Sequence, residues 1–305
     1  MRVALDTRGG ADLRGVGRYV RCLTDALRAT AEAGDDLVER RRPPGACDVF
    51  HSPWLDGALL HARIPQVVTL HDVVPLKRRS EYLRTGVRFR LRYLAVQRAD
   101  RIIVPTAAVA ADVVEHLGVS EARLRVVHEA PAPVLRPASP EAIAELRERL
   151  ELPERFLLWV GGMRHRDPRK RLSELAAAPR TLPLVLAGPA GVWTEALPDV
   201  QLTGEVSDED LATLYSAAHA LVLPSDDEGF GLTPVEALRC GCPVACSDVP
   251  ALREVLGDRA AFAPRDDVDG LVALAEALER PAPPAPAWTW DDAARATWDV
   301  YRELI

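Results

Sequence analysis

A chain of 305 residues sets an expectation of two domains. Its 48% hydrophobic and 27% charged residues are ordinary for a globular protein with a buried core in each half. The net charge of −7 argues against general nucleic-acid binding, and no apolar run approaches the ~20 residues that span a bilayer.

The opening MRVALDTRGG reads as a strand and loop without the apolar core of a signal peptide. The five cysteines, Cys22, Cys47, Cys240, Cys242 and Cys246, show no C-x-x-C spacing. Their odd number suggests reduced thiols, so a cytoplasmic protein without a zinc site is expected.

Residues 2–6 read as a first strand, followed by a loop to residue 14, the glycine turn Gly15-Val16-Gly17-Arg18-Tyr19 and an amphipathic helix to about residue 31. A glycine-rich turn after the first strand is where doubly wound domains approach phosphates, although this spacing does not complete a G-x-G-x-x-G fingerprint. Residues 48–51 and 67–70 read as strands, the second running into His71-Asp72 at the strand's carboxyl end. Residues 77–101 form the most basic stretch, with nine Lys or Arg against Glu81 and Asp100. Tyr82, Leu83, Val87, Leu91, Leu94 and Val96 give it an apolar side. Such a helix suits either solvent or peripheral contact with an anionic membrane surface. A strand over 102–105 and a helix over 107–117 follow.

The proline-rich segment 130–140 reads as a linker, and 140–150 as a helix. A strand over 156–160 ends in Gly161-Gly162-Met163-Arg164 and leads to Pro168-Arg169-Lys170-Arg171. Further strands are expected over 184–187 and 200–203, then the turn Gly204-Glu205-Val206 and a helix over 208–218. A strand over 220–223 next leads into the acidic, glycine-bearing loop 225–232. Thr233 reads as N-cap, Pro234 as the first helical residue and Glu236 as the partner in a capping box. Residues 243–246 complete a strand–loop–helix–strand unit whose loop lies on the carboxyl edge of a parallel sheet, where such sheets bind ligands. Capping alone would account for Glu236. Glu228 and Glu236 around a helix N-terminus also suit a sugar attached to a phosphate, because carboxylates accept from paired hydroxyls. A helix over 251–256, a strand over 260–263, a helix over 268–278, prolines over 281–286 and a closing segment over 288–304 finish the chain.

The run EGFGLTPVEALRCGCPVACSDVPALREVLGD resembles the signature of the family 4 retaining glycosyltransferases, whose hallmark is two glutamates separated by seven residues, here Glu228 and Glu236. The resemblance covers nearly the whole chain and implies the GT-B fold, an α/β architecture of two facing Rossmann-like domains with an interdomain cleft. It implies an acceptor-side domain over 1–135, braced by a last helix over 288–305, and a nucleotide-sugar domain over 136–287. VVTLHDVVP resembles the family's V-x-T-x-H-D segment, which makes His71 the histidine that reaches the donor sugar. Asp72 would support it, and His51 ranks a distant second.

The same resemblance assigns the donor diphosphate to Arg164 and Lys170. Gly15 and Gly17 approach the donor's phosphates and sugar, Val206 meets the base through its backbone, and Gly162, Gly229, Phe230, Gly231 and Leu232 complete the donor site with Glu236. Arg171 departs from the asparagine usual after the lysine. The implied activity is transfer of a hexose, from GDP-mannose or a UDP-hexose, to a hydroxyl of a glycan, lipid-linked or small-molecule acceptor with retained anomeric configuration. GT-B enzymes generally need no metal, and no cofactor beyond the sugar nucleotide is expected. A GT-B nucleotide-sugar epimerase would need acid–base residues beyond His71. A non-catalytic sugar-nucleotide sensor would dispense with His71 or Glu228, and a Rossmann dehydrogenase would need the full glycine fingerprint.

Overall fold

A computed structural model describes residues 1–11, 15–39, 46–78 and 86–305, with backbone alone for 86–89. Arg14 and, within the basic stretch, Arg79, Glu81, Tyr82, Leu83 and Arg84 lie outside the described residues, as do the side chains of Val87 and Arg88. The chain divides into two compact units, Met1–Ala130 with Trp288–Ile305, and Pro131–Ala287.

The first unit runs β1 (Arg2–Leu5), α1 (Gly15–Thr30), β2 (Asp36–Glu39), β3 (Val49–Ser52), β4 (Gln66–Thr69), α2 (Val74–Lys77), α3 (Gly86–Arg98), β5 (Arg101–Val104), α4 (Ala107–Leu117) and β6 (Leu124–Val126). Its six strands are parallel in the order β2-β1-β3-β4-β5-β6. The inner strands are apolar runs because helices cover both faces of a parallel sheet. Edge strands β2 and β6 escape a reading by apolar runs, since each is short and partly exposed. Helix α1 starts at Gly15 itself, so both glycines lie in its first turn and not in a loop before it. First-turn N–H groups need no intrahelical partner, which makes glycine tolerable there.

The closing helix, Trp290–Arg302, packs on α1 in this unit and opens with a capping box between Thr289 and Asp292. Its Trp298 indole donates to the Leu27 carbonyl at 3.2 Å. Its Tyr301 hydroxyl meets His51 Nδ1 at 2.6 Å, while His51 Nε2 meets the Thr69 hydroxyl at 2.9 Å. Burial, with His71 nearby, pushes the His51 pKa down to about 3. His51 is therefore a neutral tie between β3, β4 and the closing helix, which removes it from second place as a catalytic candidate. Part of the basic stretch is neutralised within the unit, by Lys77–Asp112 at 3.0 Å and Arg92–Asp56 at 2.8 Å, while Leu91 and Leu94 of α3 are exposed.

The second unit runs α5 (Pro140–Leu150), β7 (Leu157–Val160), α6 (Leu172–Ala177), β8 (Leu184–Ala187), β9 (Val200–Gly204), α7 (Asp208–Ala217), β10 (Ala220–Leu223), α8 (Leu232–Arg239), β11 (Val244–Ser247), α9 (Pro250–Leu256), β12 (Ala261–Ala263) and α10 (Val268–Ala277). Its strands are again parallel, in the order β12-β11-β10-β7-β8-β9. The chain winds outward from β7 through β8 and β9, then returns to β10 on the other side of β7. That reversal opens a crevice at the carboxyl ends of β7 and β10. Leu157, Trp159, Leu186, Val222 and Ala245 fill the core beneath it. Among the described residues no helix is long and apolar enough to cross a membrane.

Candidate functional site

The loop after β7 carries Arg164 on a backbone stitched to the next strand end. Gly161 N–H donates to the Ala187 carbonyl at 2.9 Å and Met163 N–H to Pro189 at 2.8 Å, while the Trp193 indole donates to the Met163 carbonyl at 2.6 Å. Gly188 holds φ +133°, and a Cβ there would stand 2.1 Å from the Gly161 carbonyl oxygen. One at Gly191 would stand 2.3 Å from the Arg164 carbonyl. Those two glycines escaped the motif reading, although the G-P-A-G run after β8 was their signal. Arg164 itself is 63% exposed and only 3.6 Å from Glu205, a solvated pair that leaves its guanidinium open to an anion. Glu205 precedes the half-buried Val206, so the turn after β9 reaches the same strand ends.

Lys170 closes the short turn Pro168–Lys170, which Asp167 caps through the Arg169 N–H at 3.1 Å. Its ammonium donates to the Gly162 carbonyl at 2.8 Å and lies 5.6 Å from the Trp159 ring centroid. Arg171 adopts φ +47°, a left-handed backbone that asparagine tolerates better than arginine. Its guanidinium holds the position by donating to the Arg265 carbonyl and lying 3.6 Å from Asp226. The departure from asparagine therefore leaves the local turn intact.

The loop after β10 meets this turn edge to edge. Asp226 N–H donates to the Arg169 carbonyl at 2.9 Å, and the Arg169 guanidinium donates to the Asp227 carbonyl at 3.4 Å. Lys170 and Glu228 are each the next residue along from this contact, so the structure brings them to one strand end. Glu228 is half-buried, Gly229 and Phe230 are buried, and Leu232 opens α8.

Thr233 is not the N-cap. Gly231 takes that position with φ +87°, and the helix begins at Leu232. A left-handed residue turns the chain into the helix early, and a Cβ at 231 would stand 2.4 Å from Leu252. Pro234 still fits, because any of the first helical N–H groups lacks a partner. The capping-box account of Glu236 falls with that correction. Glu236 lies on α8 at 4% exposure, and its carboxylate accepts from the hydroxyl of buried Tyr215 at 3.3 Å. Burying a carboxylate is costly, and the Tyr215 hydroxyl offsets part of that cost. Glu236→Gln keeps an acceptor for Tyr215 while losing the charge. We expect a Tm within about 2 °C of wild type. Nucleoside diphosphate binding by calorimetry should weaken about tenfold. A fall in Tm with affinity preserved would make Glu236 structural.

In the first unit, His71 follows β4, half-buried. Its Nδ1 meets Glu129 Oε1 at 3.0 Å and its Nε2 the Pro53 carbonyl at 3.1 Å. The Tyr19 ring stands edge-on to it at 4.5 Å, and Trp290 edge-on to Tyr19 at 5.6 Å. Burial works against a charge on His71. The Glu129 hydrogen bond and charge, the Pro53 carbonyl and Asp72 outweigh it, so its pKa is raised above the ordinary histidine value. Asp72 also accepts the Val74 N–H at 3.1 Å, starting α2. Tyr19 follows Gly15 and Gly17 on α1, so the start of that helix and His71 share one sheet edge. Glu129, 3% exposed just past β6, was missed; its signal was an acidic residue after a strand too short to read.

Two family models match the chain. Residues 37–130 match Glycosyltransferase Family 4 and residues 194–285 match Glycosyl transferases group 1, together more than half of the chain. The chain is 32% identical over 198 residues to O-antigen chain mannosyltransferase B of Escherichia coli, covering 55% of this chain and 51% of that relative. It is 28% identical over 311 residues to D-inositol 3-phosphate glycosyltransferase of Streptosporangium roseum, covering 87% and 71%. The chain thus spans about half the length of the mannosyltransferase it matches. HepE of Anabaena, solved in complex with UDP and glucose, shares the fold with a TM-score of 0.70 at 16% identity, over 99% of this chain and 95% of that one. Two six-stranded parallel sheets, a separate model match within each unit and a fold shared along the length place this chain in the family 4-like GT-B glycosyltransferases.

Proposed function

We propose that the protein is a retaining hexosyltransferase that moves a sugar from GDP-mannose or a UDP-hexose to a hydroxyl of a glycan, lipid-linked or small-molecule acceptor. The observation that carries this reading is the contact between the 168–171 and 225–228 loops at the strand reversal of the second unit. Lys170 and Glu228 each follow a residue of that contact, and the reading groups them with exposed Arg164 and buried Glu236. Cations suit a diphosphate, and carboxylates suit ribose and hexose hydroxyls. Arg164 and Lys170 hold the diphosphate and stabilise the charge that builds on it as the sugar departs. The N-terminal turn of α8 adds partial positive charge, so the reading assigns that work to the chain and not to a metal.

Gly162, Gly229, Phe230, Gly231 and Leu232 bring backbone close to the donor, and Val206 meets the base. Gly15, Gly17 and His71 are assigned to the donor's phosphates and sugar. With two hydrogen-bond acceptors on its ring, His71 acts as an N–H donor and not as a base. The reading assigns no described residue as nucleophile, which fits a front-face displacement in which the departing phosphate assists the acceptor hydroxyl. The relatives' names divide between mannosyl transfer and a UDP complex, and both donor classes are retained for that reason. Exposed Leu91 and Leu94 beside Arg90 support peripheral contact with an anionic membrane surface as part of this reading.

The test is slow donor hydrolysis. Purified protein incubated with GDP-mannose and with UDP-hexoses should release nucleoside diphosphate from one class, and NMR should show the released sugar with its anomeric configuration retained. Release from none of them, or an inverted anomer, would overturn the reading.

A further inference from the structure

Among the described residues Glu129 is one of three buried carboxylates, with Asp6 and Glu236, and the proposed donor site gives it no role. It follows β6 on the carboxyl edge of the first sheet, and its neighbour His128 stacks on Trp288 with ring centroids 4.2 Å apart and planes 25° from parallel. His128 also meets the Pro105 carbonyl at 3.0 Å, so the backbone carrying Glu129 is held from two sides. Its carboxylate meets His71 Nδ1 at 3.0 Å. On the other side of the ring, Nε2 meets a backbone carbonyl, that of Pro53. A carbonyl oxygen accepts and never donates, so the proton on Nε2 is fixed by chemistry.

We propose that Glu129 is a positioning residue for His71, holding Nδ1–H so that the Nε2–H edge is the one presented to the donor sugar. The inference rests on the assignment of His71 to that sugar. The Pro53 carbonyl is then a placeholder: a sugar hydroxyl replaces it on Nε2 while Glu129 keeps the ring in place. Among the described residues, the titratable groups facing His71 are Glu129 from beyond β6, Asp72 beside it, Tyr19 of α1 and His51 of β3. Burial works against a charge on Tyr19 and on His51, so Glu129 and Asp72 are the side chains that raise the His71 pKa. Asp72 is occupied by a backbone N–H, which leaves Glu129 as the side chain in hydrogen-bond contact.

The experiment is an NMR titration of the His71 ring in the full chain, in wild type and in Glu129→Gln, which needs no substrate. Stabilisation of the charged ring in the folded state persists until the pH rises through the His71 pKa. Removing Glu129 should lower the titration midpoint by at least about one pH unit, tenfold in proton affinity. The alkaline limb of kcat should move with it, while donor KM stays within about threefold. A merely structural role would lower activity evenly at every pH. An unmoved midpoint overturns the proposal, and so does a moved midpoint with unchanged kcat. If Glu129→Gln does not fold, the wild-type titration decides: a midpoint at or below the ordinary value of about 6.5 overturns it. A His71→Ala variant within a few-fold of wild type would remove His71 from the sugar. The titration would then still report Glu129's hold on the ring.

Discussion

Lys170→Ala is expected to lower turnover by about 10²–10³-fold, because charge building on the departing diphosphate would lose its ammonium partner. The lysine is assigned to that role and not to stability. It is half-buried, lies over the Trp159 ring and donates to the Gly162 carbonyl at a loop end and not within a packed core. Alanine should therefore leave Tm close to wild type. Arg164→Ala is the companion variant, with a smaller effect on turnover and a comparable loss of nucleotide affinity. Its ion pair with Glu205 is loose and exposed on both sides, so its removal should cost at most about 1 kcal/mol of stability. Calorimetry with free nucleoside diphosphate checks both. Unchanged affinity in the two alanine variants would remove them from the diphosphate.

His71→Ala and Glu228→Ala should each abolish most transfer, by about 10²-fold or more, while free nucleoside diphosphate still binds. The split between binding and turnover is the diagnostic feature. Both residues are assigned to the sugar and neither to the base or ribose, so removing them leaves the nucleotide's own contacts intact. Glu228 sits in a loop held by the Asp226 N–H on the Arg169 carbonyl and by the Arg169 guanidinium on the Asp227 carbonyl, so the loop should survive the loss of the Glu228 side chain. His71 is more deeply engaged, through Glu129, Pro53 and Tyr19, and His71→Asn controls for packing by keeping a polar group there. The measurement is initial rate with the hydrolysed donor, alongside calorimetry. Turnover within a few-fold of wild type in His71→Ala would exclude it from the site. Lost nucleotide affinity in Glu228→Ala would reassign that carboxylate to the nucleotide.

The doubly wound architecture was legible in residue order alone. Residues 184–187 and 220–223 read as buried apolar runs of strand length, and those are the observed spans of β8 and β10. Helices Ala107–Leu117 and Pro140–Leu150 were equally plain, because Thr106 and Ser139 cap them locally through their own hydroxyls. Local hydrogen bonds and buried parallel strands leave a mark within a few residues, so the sequence by itself determined them. It also carried the family motif, since backbone approach to a ligand demands glycines at set spacings. Tertiary structure decided the rest. The Thr233 cap failed because the left-handed backbone of Gly231, packed close against Leu252, sets the helix start. Gly188 and Gly191 owe their identity to the backbone of a different loop, and no local pattern records that. His51 looked like a strand-end histidine until Tyr301, 250 residues away, closed on its ring. Glu129 stayed unread for the same reason: a carboxylate acquires meaning from the imidazole beside it, and only folding brings residues 71 and 129 to 3.0 Å.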